Sequence, residues 1–338
     1  MENILPTMSE YAPYGFWLLV YFVAFIAAGH ALINKRHSSS AVGWIAVCLL
    51  LPLVGPLLYY LIGINRIGSP DRKDRRLNLA RRTSPELTRV IPEQYHQLVK
   101  LGDAVTGWPA IAGNNITPLF DGQNAFPDMI DSVKKATREV LLSSYIFESN
   151  ETGKRFIDAL SHANTSGVNT RVLVDGVGEL YSFPWAHRLM RRKGIQAERF
   201  IPPSLLPPTF HMNLRNHRKI LVVDQSVAYM GGINIGDRYL TNVERNRAKT
   251  SDVHFRCEGP IATAIRQIFC DDWQFATGES LDRTEIGTRQ DRGDMVCRAV
   301  ADGPGKNLLK LQLVMIAAIN AATKCIAIMT PYFVPPDE

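Results

Sequence analysis

Apolar residues run almost unbroken from Gly15 to Ile33 and again from Ala41 to Ile64, divided only by Lys35, Arg36, His37 and three serines. Each run is about one bilayer crossing long, so the pattern predicts a two-helix transmembrane hairpin over residues 1–64. Pro52, Gly55 and Pro56 lie inside the second run, where each proline removes a backbone donor, and that helix is expected to be kinked or re-entrant. Tyr11, Tyr14 and Trp17, then Tyr59 and Tyr60, suit the membrane interfaces. The first run has only Glu2 and Glu10 as early charges, which argues against a cleaved signal peptide with its basic leader.

Beyond the hairpin the periodicity changes. Residues 65–116 are charged at first, contain Pro70, Pro85 and Pro92, and read as a basic juxtamembrane linker. From Thr117 onward helical and strand patterns alternate: a helix from Asp128 to Thr137, a strand from Glu139 to Phe147, a helix opening at Thr152 and closed by Gly167, and a strand from Val168 to Asp175. A helix from Trp185 to Lys193, a strand from Gln196 to Phe200, and a helix from Pro260 to Gly278 complete the unit 117–278. Such alternation predicts an α/β fold with a mixed, largely parallel sheet covered by helices. Residues 279–294 read as a linker. Ala322-Thr323-Lys324 leading into Ile326 echoes Ala136-Thr137-Arg138 leading into Leu142, about 186 positions earlier, so 295–338 is expected to open a second, truncated unit.

Composition refines this picture. Of 338 residues 46% are hydrophobic and 21% charged, with a net charge of +6, so the chain combines an apolar anchor with an ordinary soluble unit. Arg66, Arg72, Lys73, Arg75, Arg76, Arg81 and Arg82 follow the hairpin directly, which suits contact with anionic lipid. The same basic run, by the positive-inside rule, predicts that the part following the hairpin is cytoplasmic. Five scattered cysteines form no zinc or disulfide pattern, and neither a metal nor another cofactor is expected.

The chemistry concentrates between His217 and Asn234. His217 to Asp224 reads as a strand whose period of two puts His217 and Lys219 on one face and Asp224 on the other, where it shapes a turn. The following strand, Val227 to Met230, leads to Gly231 and Gly232, where backbone amides can approach an anion, and Asn234 adds a donor. An imidazole can attack phosphorus while an ammonium and an amide offset charge on the phosphoryl oxygens. His211 and His254 are read as structural; His30, His37, His96, His162 and His187 show no evident partner. The proline-rich stretch Phe200 to Phe210 is a candidate lipid-dipping loop.

HxKxxxxD followed six residues later by GGxN, as spelled by His217, Lys219, Asp224, Gly231, Gly232 and Asn234, resembles the signature of the phospholipase D superfamily. The paired apolar segments, RNHRK from Arg215, EGPIATA from Glu258, the Asp272-Trp273 text and TPYFVPPDE from Thr330 resemble bacterial cardiolipin synthases over essentially the whole chain. The resemblance implies a phospholipase D-like α-β-α sandwich in a multi-pass protein of the bacterial inner membrane, with His217, Lys219 and Asp224 grouped as catalytic residues, His217 as covalent nucleophile, Lys219 as phosphate ligand, and Asp252 as the acid that orients His217. It also implies phosphatidylglycerol and anionic membrane lipids as partners, with no nucleic acid. Two phosphatidylglycerol molecules would give cardiolipin and glycerol through a phosphohistidine; hydrolysis by water, or a catalytically incomplete interaction module, are the competing readings. The second histidine motif of that family would fall near position 403 by the internal echo, so truncation, or self-association to complete the site, is expected.

Overall fold

In the computed structural model, which describes residues 8–35, 38–64, 83–205, 208–209, 215–243, 249–282, 290–301 and 310–330, the chain divides into two units. The first comprises Met1–Gly68 with Pro203–Asn213, and the second the remainder. The basic run from Arg66 to Arg82, His37, His211, residues 206, 207 and 210 of the proline-rich stretch and the text beyond Thr330 lie outside the described residues.

In the first unit α1 (Met8–Asn34) is continuous, and its Pro13–Asn34 portion is long and apolar enough to cross a membrane. The second apolar run is broken. It forms α2 (Ser38–Leu50), a turn through Pro52, α3 (Val54–Leu58) and one π-helical turn (Tyr59–Gly63). Neither piece alone reaches the length of a crossing, and the segment bends at Pro52 and Pro56, in agreement with the expected kinked or re-entrant helix. The bend brings Gly55 against α2, where a Cβ would fall 2.2 Å from the Val47 carbonyl oxygen. Ala28, Ala31, Cys48 and Tyr59 close the seam between the helices, the small residues allowing close backbone approach. His30 has a partner after all: its Nδ1 lies 2.8 Å from Tyr59 Oη.

The second unit begins earlier than the sequence suggests, since α4 (Pro85–Val90), α5 (His96–Thr106) and β1 (Ile111–Phe120) occupy much of the stretch read as linker. It continues with α6 (Asp121–Lys134), β2 (Glu139–Ser144), α7 (Glu151–Thr165), β3 (Asn169–Asp175), α8 (Ala186–Arg192) and β4 (Gln196–Phe200). A two-residue ribbon, β5 (Ser204–Leu205) with β6 (Pro208–Thr209), belongs to the first unit. Then come β7 (Ile220–Val223), β8 (Val227–Gly231), β9 (Val253–Glu258), α9 (Ile261–Thr277), β10 (Met295–Cys297) and α10 (Lys310–Asn320).

Eight strands form one sheet in the order β10-β1-β9-β8-β7-β2-β3-β4. Only β2–β3 and β3–β4 are parallel; the other five pairings are antiparallel, which corrects the expectation of a largely parallel sheet. The helix-strand alternation does produce parallel neighbours, but after β4 the chain returns as β7 antiparallel to β2. The short turn from Val223 to Val227 permits only antiparallel pairing of β7 with β8, and β9, reached by a long connection from Gly231 to Val253, also lies antiparallel to β8. The expected strand from Ile326 is absent among the described residues 325–330. β10 extends the first sheet through β1 instead of opening a second one.

Strand alternation fills two cores. Val140, Leu142, Val172, Val174, Leu221 and Val223 face α6, α7 and α8 with Phe126, Phe156 and Met190. Leu141, Leu173, Ile220 and Val222 face α9 with Ile265, Phe269 and Trp273. Strands buried on both faces read as unbroken apolar runs, which is why VLL, VLV and ILVV stand out in the sequence.

Candidate active site

β7 runs antiparallel to β2, with Ile220 opposite Ser143, so its start lies beside the carboxyl ends of β2 and β3. Ligands gather at that edge of parallel strands. Residues 215–219 form an extended lead-in there, and their alternation is fixed by polar anchors on one side. The Asn216 backbone N–H donates to Asp175 Oδ2 at 2.9 Å and its Nδ2 to Asp272 Oδ2 at 3.2 Å. Arg218 Nη1 lies 2.6 Å from both oxygens of Asp272, which α9 carries. His217 and Lys219 are thereby directed the other way.

Both meet Tyr145, just past the end of β2. The His217 ring stacks on the tyrosine at 4.3 Å between centroids and 26° between planes, and Lys219 Nζ stands 5.4 Å from the same ring centre. Lys219 also donates to the His217 carbonyl oxygen at 2.8 Å. The imidazole and ammonium share one side of the lead-in, although β7 proper starts only at Ile220.

Electrostatics set their charge states. Burial, then the Lys219 ammonium, lowers the His217 pKa below the ordinary 6.5, with Asp175 opposing and Arg215 adding to the shift. Lys219 is pulled down to about 8, first by burial, against the carboxylates of Asp252 and Asp175. Near neutrality the pair is an uncharged imidazole beside an ammonium that retains its proton.

The other residues of the motif are dispersed. Asp224 sits at the far end of β7, where its carboxylate accepts from the backbone N–H groups of Thr137, Arg138 and Glu139 and from Thr137 Oγ1, at 2.8–2.9 Å. Burial would raise its pKa, but these hydrogen bonds together hold it below the carboxylate range. Its grouping with His217 and Lys219 as a catalytic residue is therefore corrected: it seals the β7–β8 turn onto the start of β2. Asn234 is buried, with Oδ1 accepting from the Ile146 N–H at 3.0 Å and Nδ2 donating to Tyr239 Oη at 2.9 Å. Those bonds tie the loop after β8 to the segment carrying Tyr145.

Gly231 and Gly232 serve close approach. A Cβ on Gly231 would lie 2.5 Å from the Val253 carbonyl oxygen, and one on Gly232 would lie 2.1 Å from Asp252 Oδ1. Gly232 thus makes room for the Asp252 carboxylate, whose charge acts on Lys219, and no hydrogen bond joins Asp252 to His217 among the described residues. His254, on β9 opposite Gly231, is buried and driven down to about 3 by desolvation, then by Lys219. It stays neutral.

Sequence reasoning missed Tyr145, Asp175, Asn216 and the positioning role of Asp272. Asp175 is 1% exposed and accepts the Val177 and Gly178 N–H groups at 2.9 and 3.2 Å besides that of Asn216. The available signal was positional: polar residues at the carboxyl ends of two adjacent buried strands. His187, earlier without a partner, bonds through Nδ1 to the buried Glu179.

A helix-covered mixed sheet with a histidine and a lysine paired at its carboxyl edge defines a phospholipase D-like domain. Residues 129–273 match the family model described as cardiolipin synthase, PLD-like domain, and residues 17–63 match phospholipase D-nuclease N-terminal. Cardiolipin synthase A of Pseudomonas fluorescens is 28% identical over 346 residues, covering 97% of this chain and 71% of that one. Cardiolipin synthase of Listeria welshimeri is 26% identical over 336 residues, covering 94% and 69%. A solved phospholipase D family member, Nuc of Salmonella typhimurium, superposes with a TM-score of 0.36 at 16% identity, covering 48% of this chain and 95% of that one. Along most of its length the chain is thus similar to bacterial cardiolipin synthases, and residues 129–273 carry their phospholipase D-like domain.

Proposed function

We propose that this chain transfers a phosphatidyl group from one phosphatidylglycerol to another, with His217 as nucleophile. The observation that carries the reading is the pairing of His217 and Lys219 against the ring of Tyr145. The neutral imidazole attacks phosphorus, an N–P bond forms, the P–O bond to glycerol breaks, and the departing oxygen takes a proton. Lys219 offsets negative charge on the phosphoryl oxygens, and Asp252 holds that ammonium protonated. The terminal hydroxyl of the second phosphatidylglycerol then forms a new P–O bond as N–P breaks, giving its proton back to the base. The proton donor for the leaving glycerol is a second histidine motif of the family type, and self-association with another chain would supply one.

The anchor makes transfer outrun hydrolysis, because an intermediate held at a bilayer meets lipid hydroxyls at high local concentration. The reading includes a second, bent membrane segment, a catalytic unit on the cytoplasmic side, and anionic lipid as neighbour. Product analysis with vesicles of labelled phosphatidylglycerol tests it: cardiolipin and free glycerol are expected, whereas phosphatidate alone would make the chain a hydrolase.

Two results are expected at the site itself. The pH profile of kcat/KM should lose activity on the acid side as His217 protonates, below the ordinary histidine value, and on the alkaline side near pH 8 as Lys219 deprotonates. Because Asp252 raises the Lys219 pKa, Asp252→Asn should move the alkaline limb to lower pH; an unmoved limb would remove Asp252 from this role. Tyr145→Leu should cost about ten- to a hundredfold in kcat by loosening both groups, while Tyr145→Phe keeps the ring and most of the activity. Equal losses in the two variants would mean that the hydroxyl, not the ring, matters.

A further inference from the structure

The turn after β3 exposes its largest apolar side chains at the edge of the site. Leu180, Tyr181 and Phe183 are 57%, 59% and 83% exposed, yet the segment that holds them is firmly tied. Asp175 accepts the N–H groups of Val177 and Gly178. Buried Glu179 accepts from the His187 backbone N–H at 2.9 Å, and Ser182 Oγ accepts from the Ser149 N–H at 2.7 Å. Gly178 is packed so closely on the Tyr145 carbonyl oxygen that a Cβ would fall 1.8 Å from it. The apolar tips are thus held outward by buried polar bonds beside the residue on which His217 and Lys219 rest.

Cations border them. Arg188 lies over the Trp185 ring, 4.2 Å from its centre, and Arg188 and Arg192 are exposed on α8. Aliphatic and aromatic tips flanked by guanidinium groups have the composition of an interfacial contact with anionic lipid, in which apolar groups sit about 5–10 Å into the headgroup and acyl boundary. A phospholipid whose phosphorus reaches His217 carries its acyl chains only a few bonds away, so the rim of this site must meet the bilayer.

We propose that Leu180, Tyr181 and Phe183, with Trp185 and Arg188 beside them, form a docking rim by which the catalytic unit seats in an anionic phospholipid surface. This deepens the reading of the site as one that takes phospholipid.

The test uses the full chain in phosphatidylglycerol vesicles, with Cys325→Ser as background and a fluorophore attached at Phe183→Cys or, as control, at Lys154→Cys on the exposed face of α7. Nitroxides in the acyl chains are expected to quench the label at 183 and spare that at 154. A label at 183 left unquenched, whether open to an aqueous quencher or covered by a second copy of the chain, overturns the proposal. A paired measurement follows turnover of long-chain vesicle substrate against water-soluble short-chain phosphatidylglycerol. Leu180→Ser with Phe183→Ser should lower the ratio of the two rates about tenfold, and an unchanged ratio counts against the rim. A parent chain that makes no cardiolipin from either substrate would sink the transferase reading, while quenching still decides the docking surface.

Discussion

His217→Ala is expected to abolish phosphatidyl transfer, lowering kcat by about ten-thousandfold or more, with the folded state intact. The magnitude follows from deleting the atom that bonds to phosphorus, since the remaining electrostatic groups cannot form the intermediate. The stability expectation follows from exposure: His217 is exposed, its ring stacks on Tyr145 alone among the described residues, and the neighbouring Asn216 and Arg218, which fasten the lead-in to Asp272, are untouched. Circular dichroism and the thermal midpoint should match the parent chain. A variant that loses its fold together with its activity would show the imidazole to be structural.

Asp224→Ala is expected to give the opposite result: a large loss of stability with little change in turnover per folded molecule. Three backbone N–H groups and one hydroxyl lose their acceptor at once, and Asp224 occupies a left-handed turn position, φ 50°, beside Gln225 at φ 59°. Asp tolerates that conformation better than Ala. With partial solvent access discounted, the loss should be about 2–3 kcal/mol, a drop in midpoint of roughly 5–10 °C. Because the folded-state pKa of Asp224 is depressed, its contribution is present above the usual carboxylate range and is lost as pH falls through the folded value. The parent and variant curves should therefore converge in acid. An aspartate that instead governed catalysis would cut turnover at unchanged stability.

The contrast explains what the sequence could tell. Alternation alone put His217 and Lys219 on one side and Asp224 on the other, and the anchors at Asp272 and Glu139 agree with that. The strands β2, β3 and β7 were legible because burial on both faces writes a continuous apolar run, and α7 and α9 because their apolar stripes end at glycines with positive φ. Strand direction was not legible, since local patterning does not say whether β7 joins β2 parallel or antiparallel. β1 was missed because Asn114 and Asn115 interrupt its apolar pattern; the Asn114 amide is buried and donates to the Ile111 carbonyl. Tyr145 and Asp175 carry no motif and acquire meaning only where two strand ends meet the lead-in. Asp252 was assigned to the imidazole by resemblance, whereas its carboxylate packs in the space left by Gly232 and its charge raises the pKa of Lys219.

The most direct test of the account is to trap the covalent intermediate. Full-length chain in vesicles of phosphatidylglycerol labelled at phosphorus should be quenched within a turnover, and the adduct mapped by peptide mass. An acid-labile, base-stable phosphatidyl adduct on His217, absent from His217→Ala, is the predicted result. Cardiolipin formation with no adduct on His217, or with an adduct on another side chain, would contradict it.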